Sequence, residues 1–231
     1  QALRPTAIMP VYYSILQFLI DMSIITQGAS VCSKCGKEHT VKIYKSINVA
    51  QDPELKAKVL DGSLFLWECP DCGTSNLVAY DCLYHDPEEK IMVWMLPFGE
   101  PEGAEKTAIM NQARAMGEYR LRIVKNAGDL MEKLIIFESG LDDRCMELVK
   151  YVAGKEMPGV SRLHFYRMQD DAMVFSGMRT SPEHPQGVME GFGIGLNVYE
   201  DCQGILTRNP DIASGEGFCT VDAAWVDSIL S

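Results

Sequence analysis

Two short segments carry the residue types that could do chemistry: Cys32-Ser33-Lys34-Cys35-Gly36 and Cys69-Pro70-Asp71-Cys72-Gly73. Each places two thiols on one tight turn, followed by a glycine that tolerates positive φ. Two such turns supply four thiolates, the tetrahedral ligand set of a structural Zn²⁺. Cys32, Cys35, Cys69 and Cys72 are therefore the expected metal ligands, and Zn²⁺ the expected structural cofactor. Four soft ligands leave no position for water, so the site would be structural rather than catalytic. The 33 residues between the pairs exceed the spacing of compact sites, and an inserted helix would account for the excess. Two unrelated pairs without metal, a redox dithiol and an iron–sulfur centre are the alternatives.

Other candidates are less distinctive. His39 follows Cys35 closely enough to replace a cysteine ligand, although the four-cysteine set does not need it. His85 lies in Tyr84-His85-Asp86-Pro87, where a neutral imidazole beside Asp86 would suit a general base. A locally hydrogen-bonded turn histidine is the simpler reading. His164 and His184 read as structural or solvated. Cys82, Cys145, Cys202 and Cys219 read as small apolar side chains. Gly191-Phe192-Gly193-Ile194-Gly195 departs from the dinucleotide-binding fingerprint at Leu196 and reads as strand glycines. H-E-x-x-H, G-x-S-x-G and Walker A motifs are absent, which leaves no residue assigned to catalysis.

The elements that must position the cysteines follow from pattern and punctuation. Thr40–Tyr44 alternates as a strand. Asp52-Pro53 opens a helix, Leu55, Val59 and Leu60 mark its apolar face, and Gly62 suits its left-handed end. Strands are expected over 63–68, 76–84 and 90–96, with a turn at 85–88. Pro97–Lys106 reads as a linker. Helices are expected over 107–118, 129–139 with a stop at Gly140, and 141–152 with a stop at Gly154, and a short strand over 119–124. A hairpin over 161–178, two strands over 188–207 and a closing helix over 222–230 complete the chain. The fold class is α+β: a zinc-ribbon-like, β-rich N-terminal domain with one inserted helix (31–97), then helices and a small antiparallel sheet (98–231).

Residues 1–30 form an N-terminal extension. The apolar run from Ile8 to Ile20 is too short to span a bilayer and makes a poor signal peptide. The chain begins with Gln, and Met22 stands ten residues before the first cysteine. Residues 1–21 are expected to carry little function, a surface amphipathic helix being the alternative.

Composition sets the outer bounds. The chain has 231 residues, 47% apolar and 23% charged, which suits a globular protein. Its 21 basic and 32 acidic residues leave a net charge of −11. That disfavours a duplex-coating nucleic-acid binder, which needs a basic face. Residues 31–98 hold 7 basic and 10 acidic residues, so a patch around Lys34, Lys37, Lys42, Tyr44 and Lys45 reads as a solvated surface. Scattered thiols beside paired ones fit a reducing, cytoplasmic setting.

Taken together, the paired C-x-x-C-G motifs, Ser46-Ile47-Asn48-Val49, Asp52-Pro53-Glu54-Leu55, Leu60-Asp61-Gly62-Ser63-Leu64-Phe65 and Leu83-Tyr84-His85-Asp86 resemble the CpXC family. Those bacterial and archaeal proteins are named for two Cys-Pro-x-Cys motifs. The second motif here keeps its proline as Pro70; the first has Ser33 instead. The similarity runs from about Val31 through the helices near Leu141-Asp142-Asp143-Arg144, with an extension to the end of the chain as the alternative. It implies a metal-binding ribbon in a bacterial cytosol and carries no established activity. The expected function is a non-enzymatic zinc-binding module that binds a protein, or less favourably a nucleic acid. An enzyme with a site near His85 and Asp86 is the alternative. A perturbed histidine in a deep pocket would favour the enzyme, and a flat exposed patch the binder.

Overall fold

The computed structural model describes residues 21–102, 107, 110–111, 113–212 and 217–231. Expectations for residues 1–20, and parts of those for the linker at 97–106 and the helix at 107–118, lie outside them.

A five-stranded mixed sheet organises the first half, in the order β1 (Ile24–Val31), β2 (Glu38–Asn48), β5 (Cys82–Asp86), β6 (Ile91–Met95) and β7 (Arg120–Val124). β1–β2 and β5–β6 are antiparallel, whereas β2–β5 and β6–β7 are parallel. The strands come from both sides of residues 31 and 97, since β1 pairs along β2 and β7 along β6. Central β5 and β6 are buried almost throughout, which is why they read as apolar runs rather than alternations.

Strand alternation divides the side chains between two cores. Tyr84, Val93 and Val124 join the larger one, which continues through the helices into the second half. Leu83, Met92, Leu121 and Ile123 meet Ala113 and Phe218 on the other face.

Helix α1 (Glu54–Leu60) and a 3-10 turn (Ser63–Phe65) lead into a small hairpin, β3 (Leu66–Glu68) and β4 (Ser75–Leu77). Leu55 and Val59 are the buried face of α1, as their spacing requires. Gly62 closes it at φ +75°. The entry to α1 differs from expectation: Asp52 contributes its backbone carbonyl to Leu55, and no side chain caps the helix. Asn48 instead accepts from the backbone N–H groups of Ala50 and Gln51.

Helices α2 (Ala127–Glu138) and α3 (Asp143–Glu156) follow β7. Asn126 caps α2 by accepting from the Asp129 N–H. Gly140 ends it: its N–H donates to Phe137 O, and the Leu141 N–H donates to Ile136 O, the paired bonds of a Schellman motif. Asp142 caps α3. The helix does not stop at Gly154. Ala153 is buried, packing carries the helix past the glycine, and it ends two residues before Pro158.

The last third holds an antiparallel sheet, β8 (Val160–Gln169), β9 (Ala172–Arg179) and β10 (Val188–Gly195), followed by α4 (Leu196–Arg208) and α5 (Ala223–Leu230). The pattern over 188–207 reads as two strands; the structure has one, β10, and the rest is α4. Tyr199 and Cys202 form its buried face at helical spacing, a period that Val198, Ile205 and Gly204 obscure in the sequence. The class is α+β, with a β-rich N-terminal region, several helices and a small antiparallel sheet.

Candidate metal centre

The four cysteines sit at the tips of two hairpins. Cys32 and Cys35 lie in the β1–β2 turn, and Cys69 and Cys72 in the β3–β4 turn. The two turns are built alike. The Cys32 N–H donates to Lys37 O and the Gly36 N–H to Cys32 O; the Cys69 N–H donates to Thr74 O and the Gly73 N–H to Cys69 O. Gly36 at φ +71° and Gly73 at φ +66° take the left-handed backbone that ends each turn. Equivalent bonds at equivalent positions turn each thiol pair toward the other hairpin.

All four sulfur atoms lie within 4.8 Å of one another. Cys32 Sγ is 3.6 Å from Cys72 Sγ, and Cys35 Sγ is 3.6 Å from Cys69 Sγ. These are far beyond a disulfide bond, and the thiols are free. The set can hold a metal ion. Cys32 and Cys69 are buried, Cys72 is half-buried and Cys35 exposed. The thiols differ in acidity. The Cys35 N–H, followed by the Lys34 N–H, draws Cys32 down to about 6. Cys35 goes the other way, to about 11, because desolvation and the other three sulfurs outweigh the Lys37 N–H. Thr74 lowers Cys72 through its hydroxyl and backbone N–H.

Asn76, which no motif marks in the sequence, ties the hairpins together. Its Oδ1 accepts from the Ser33 N–H at 2.9 Å and from the Ser33 hydroxyl at 2.8 Å. Its Nδ2 donates to Thr74 O at 2.8 Å and approaches Cys32 Sγ at 3.7 Å. A lone asparagine on a short strand carries no sequence signal for this role.

His39 adjoins the set without entering it. Its Nε2 is 3.5 Å from Cys69 Sγ and 3.0 Å from Asp71 Oδ2. Lys42 lies over the Tyr44 ring, but Tyr44 is buried and offers no face for a base to stack on.

His85 and Asp86 are neighbours on β5 and project to opposite faces. His85 Nε2 is 3.2 Å from the Tyr119 hydroxyl. Asp86 accepts from Lys56 Nζ and from the Glu89 N–H. Both are buried and they do not form a dyad with each other. His184 is an exposed loop residue whose N–H is held by Ser181.

A second cluster of charge lies in the larger core. Arg122 makes a bidentate pair with Asp143, at 2.7 and 2.8 Å. Lys133 reaches Asp143, Glu147 and Val221 O. Lys150 reaches Glu147 and Glu132. Glu132 also accepts from the Phe165 N–H and meets His164 Nδ1. Burial alone would raise the Asp143 and Glu132 carboxyls. Lys133 and Arg122 hold Asp143 down to about 2, and His164 and Lys150 hold Glu132 down to about 2. The bond to Glu132 raises His164. A cavity of about 320 Å³ adjoins this cluster, lined in part by Glu132, Glu147, Lys150, Tyr151, Leu163 and His164. The sequence hides the network because its members occupy ordinary charged positions on two amphipathic helices.

The family model described as CpXC protein matches residues 31–150, just over half the chain. The chain belongs to the CpXC family. The match begins at the first knuckle and ends within α3, so it takes in all four cysteines, Asn76, Arg122 and Asp143. No curated protein and no solved structure matches the chain.

Among the described residues, no helix is long and apolar enough to cross a membrane.

Proposed function

We propose that Cys32, Cys35, Cys69 and Cys72 hold one structural Zn²⁺ and that the chain is a non-enzymatic zinc-ribbon module binding another protein. The sulfur geometry carries the zinc reading. Tetrahedral ligands at a Zn–S bond of about 2.3 Å stand about 3.8 Å apart, and the Cys32–Cys72 and Cys35–Cys69 sulfur pairs stand at 3.6 Å. Four thiolates close the coordination shell. The ion would then supply folding energy, on the order of 10 kcal/mol, to hairpins of three and eight to eleven residues per strand. Free thiols throughout favour a reducing, cytoplasmic compartment.

Protein binding is supported by the ribbon's surface. Leu66 and Leu77 face each other across β3–β4 and are 50% and 66% exposed. Val31, beside the first knuckle, is also exposed. Adjacent exposed apolar side chains of this kind favour a partner surface. The buried Tyr44 and the acidic balance make nucleic acid the less favoured partner.

The test is Cys69→Ser. Metal and resistance to unfolding should fall together. A variant that lost the metal yet unfolded no more easily would contradict the structural role. Leu66→Glu with Leu77→Glu should abolish capture of a copurifying protein while leaving metal content unchanged.

A second reading, an enzyme, draws support from the cavity beside His164 rather than from His85 and Asp86. Its raised imidazole and a concave, partly apolar wall are what a reactive site needs. The binder comes first because Lys133 and Lys150 are already paired with carboxylates. His164→Ala should leave metal content unchanged and, on this second reading only, abolish a ligand-induced rise in melting temperature in a metabolite screen.

A further inference from the structure

His39, Cys69 and Asp71 form a second group of ligand atoms, all within 4.8 Å of one another, that shares only Cys69 with the first. His39 Nε2 lies 3.5 Å from Cys69 Sγ and 3.0 Å from Asp71 Oδ2. One tetrahedral ion at ordinary Zn–S, Zn–N and Zn–O bond lengths holds its sulfur and nitrogen ligands about 3.5 Å apart, and its nitrogen and oxygen ligands about 3.3 Å apart. The imidazole is not a loose surface group. Its side chain is 19% exposed, and its ring packs against Trp67 with centroids 5.6 Å apart. Asp71 lies inside the second knuckle, between its two cysteines, so the turn that positions Cys69 also positions the carboxylate.

Charge points the same way. Four thiolates around one Zn²⁺ carry about −2, and the Asp71 carboxylate stands beside them. The competing cation is Lys37, whose Nζ is 2.7 Å from Asp71 Oδ1. Its side chain is 61% exposed, so it can leave the carboxylate for solvent.

We propose that His39, Cys69 and Asp71 form a second, exchangeable site for a divalent transition-metal ion of the Zn²⁺ or Co²⁺ type, with the Cys69 thiolate bridging the two ions. The proposal rests on the four-cysteine zinc reading, which is what holds Cys69 as a thiolate. Three protein ligands leave one position for water. The second ion therefore exchanges freely where the first is locked in. His39 also lines the groove bounded by Lys42, Trp67 and Pro70, beside which the second ion would sit.

The experiment titrates the full chain, already carrying one tightly held zinc, with Co²⁺ under anaerobic conditions, following binding by calorimetry and visible absorption. A second, weaker equivalent is expected. His39→Ala and Asp71→Ala should each weaken it at least tenfold while keeping the first ion. Lys37→Ala should tighten it several-fold by removing the competitor, a change that a hydrogen-bonding role for His39 would not produce. Saturation at one ion per chain, or a second equivalent indifferent to His39→Ala, would overturn the second site and leave the four-cysteine site standing. A chain that holds no first ion would overturn both.

Discussion

Asn76 Oδ1 accepts two hydrogen bonds from Ser33, one from its backbone N–H and one from its hydroxyl, and so links the two knuckles across 43 residues of sequence. Ser33 stands where the family motif has proline. A proline there would have neither donor, whereas Pro70 occupies the matching place in the other knuckle. Ser33→Pro should therefore keep the metal but lose about 1–3 kcal/mol, the range for leaving a buried acceptor without its donors. Asn76→Ala should fall in the same range. Denaturant titration of the metal-loaded protein measures both. An unchanged midpoint for Ser33→Pro would show that this link contributes nothing.

The Arg122–Asp143 pair is the second test. Both side chains are buried, so removing one strands the other's charge. Asp143→Ala should cost about 3–5 kcal/mol, more than a surface ion pair's ~1 kcal/mol or less. Lys133 shares Asp143, so Arg122→Met alone should cost less than Asp143→Ala. The double variant should cost less than the two single costs added, because it removes charges that were balancing each other. Additive costs would mean that the pair does not act as a unit.

Acid should unfold the protein through the same network. Asp143 and Glu132 are held down to about 2 in the folded chain, below their unfolded values of about 4. Their contribution is complete above about pH 5 and is lost as pH falls toward 2, roughly 3 kcal/mol each. Asp143→Asn and Glu132→Gln should flatten that acid limb in stability measured against pH. His164 is raised by Glu132, so its contribution is complete below its unfolded value and fades as pH rises past its folded one. Its side chain is 40% exposed, which makes that alkaline effect the smaller one.

Much of the architecture could be read from local signals. The two knuckles, the Gly62 and Gly140 helix ends, the β8–β9 hairpin and the closing helix all depend on short-range pattern, which a sequence displays directly. What stayed hidden depends on distant pairing. Strand β1 shows only an alternation of exposed and half-buried side chains, which does not reveal its pairing with β2. Helix α4 has a glycine and β-branched residues that imitate a strand. Asn76 gains its role only because the β3–β4 hairpin swings it against Ser33. The ion network joins β7, α2, α3 and β8 through charges that look like solvated helix faces until the helices pack. The four metal-ligand candidates are legible in the sequence because the spacing within each pair belongs to one turn, and a turn is local.

The most direct test is metal content by elemental analysis of protein purified without added metal, with free thiols titrated before and after chelation. One zinc retained per chain, four thiols exposed by the chelator, and unfolding at lower denaturant afterwards are the expected results. Protein without metal, with all eight cysteines already reactive on unfolding, would contradict the zinc ribbon and reopen a redox or catalytic reading of the two thiol pairs.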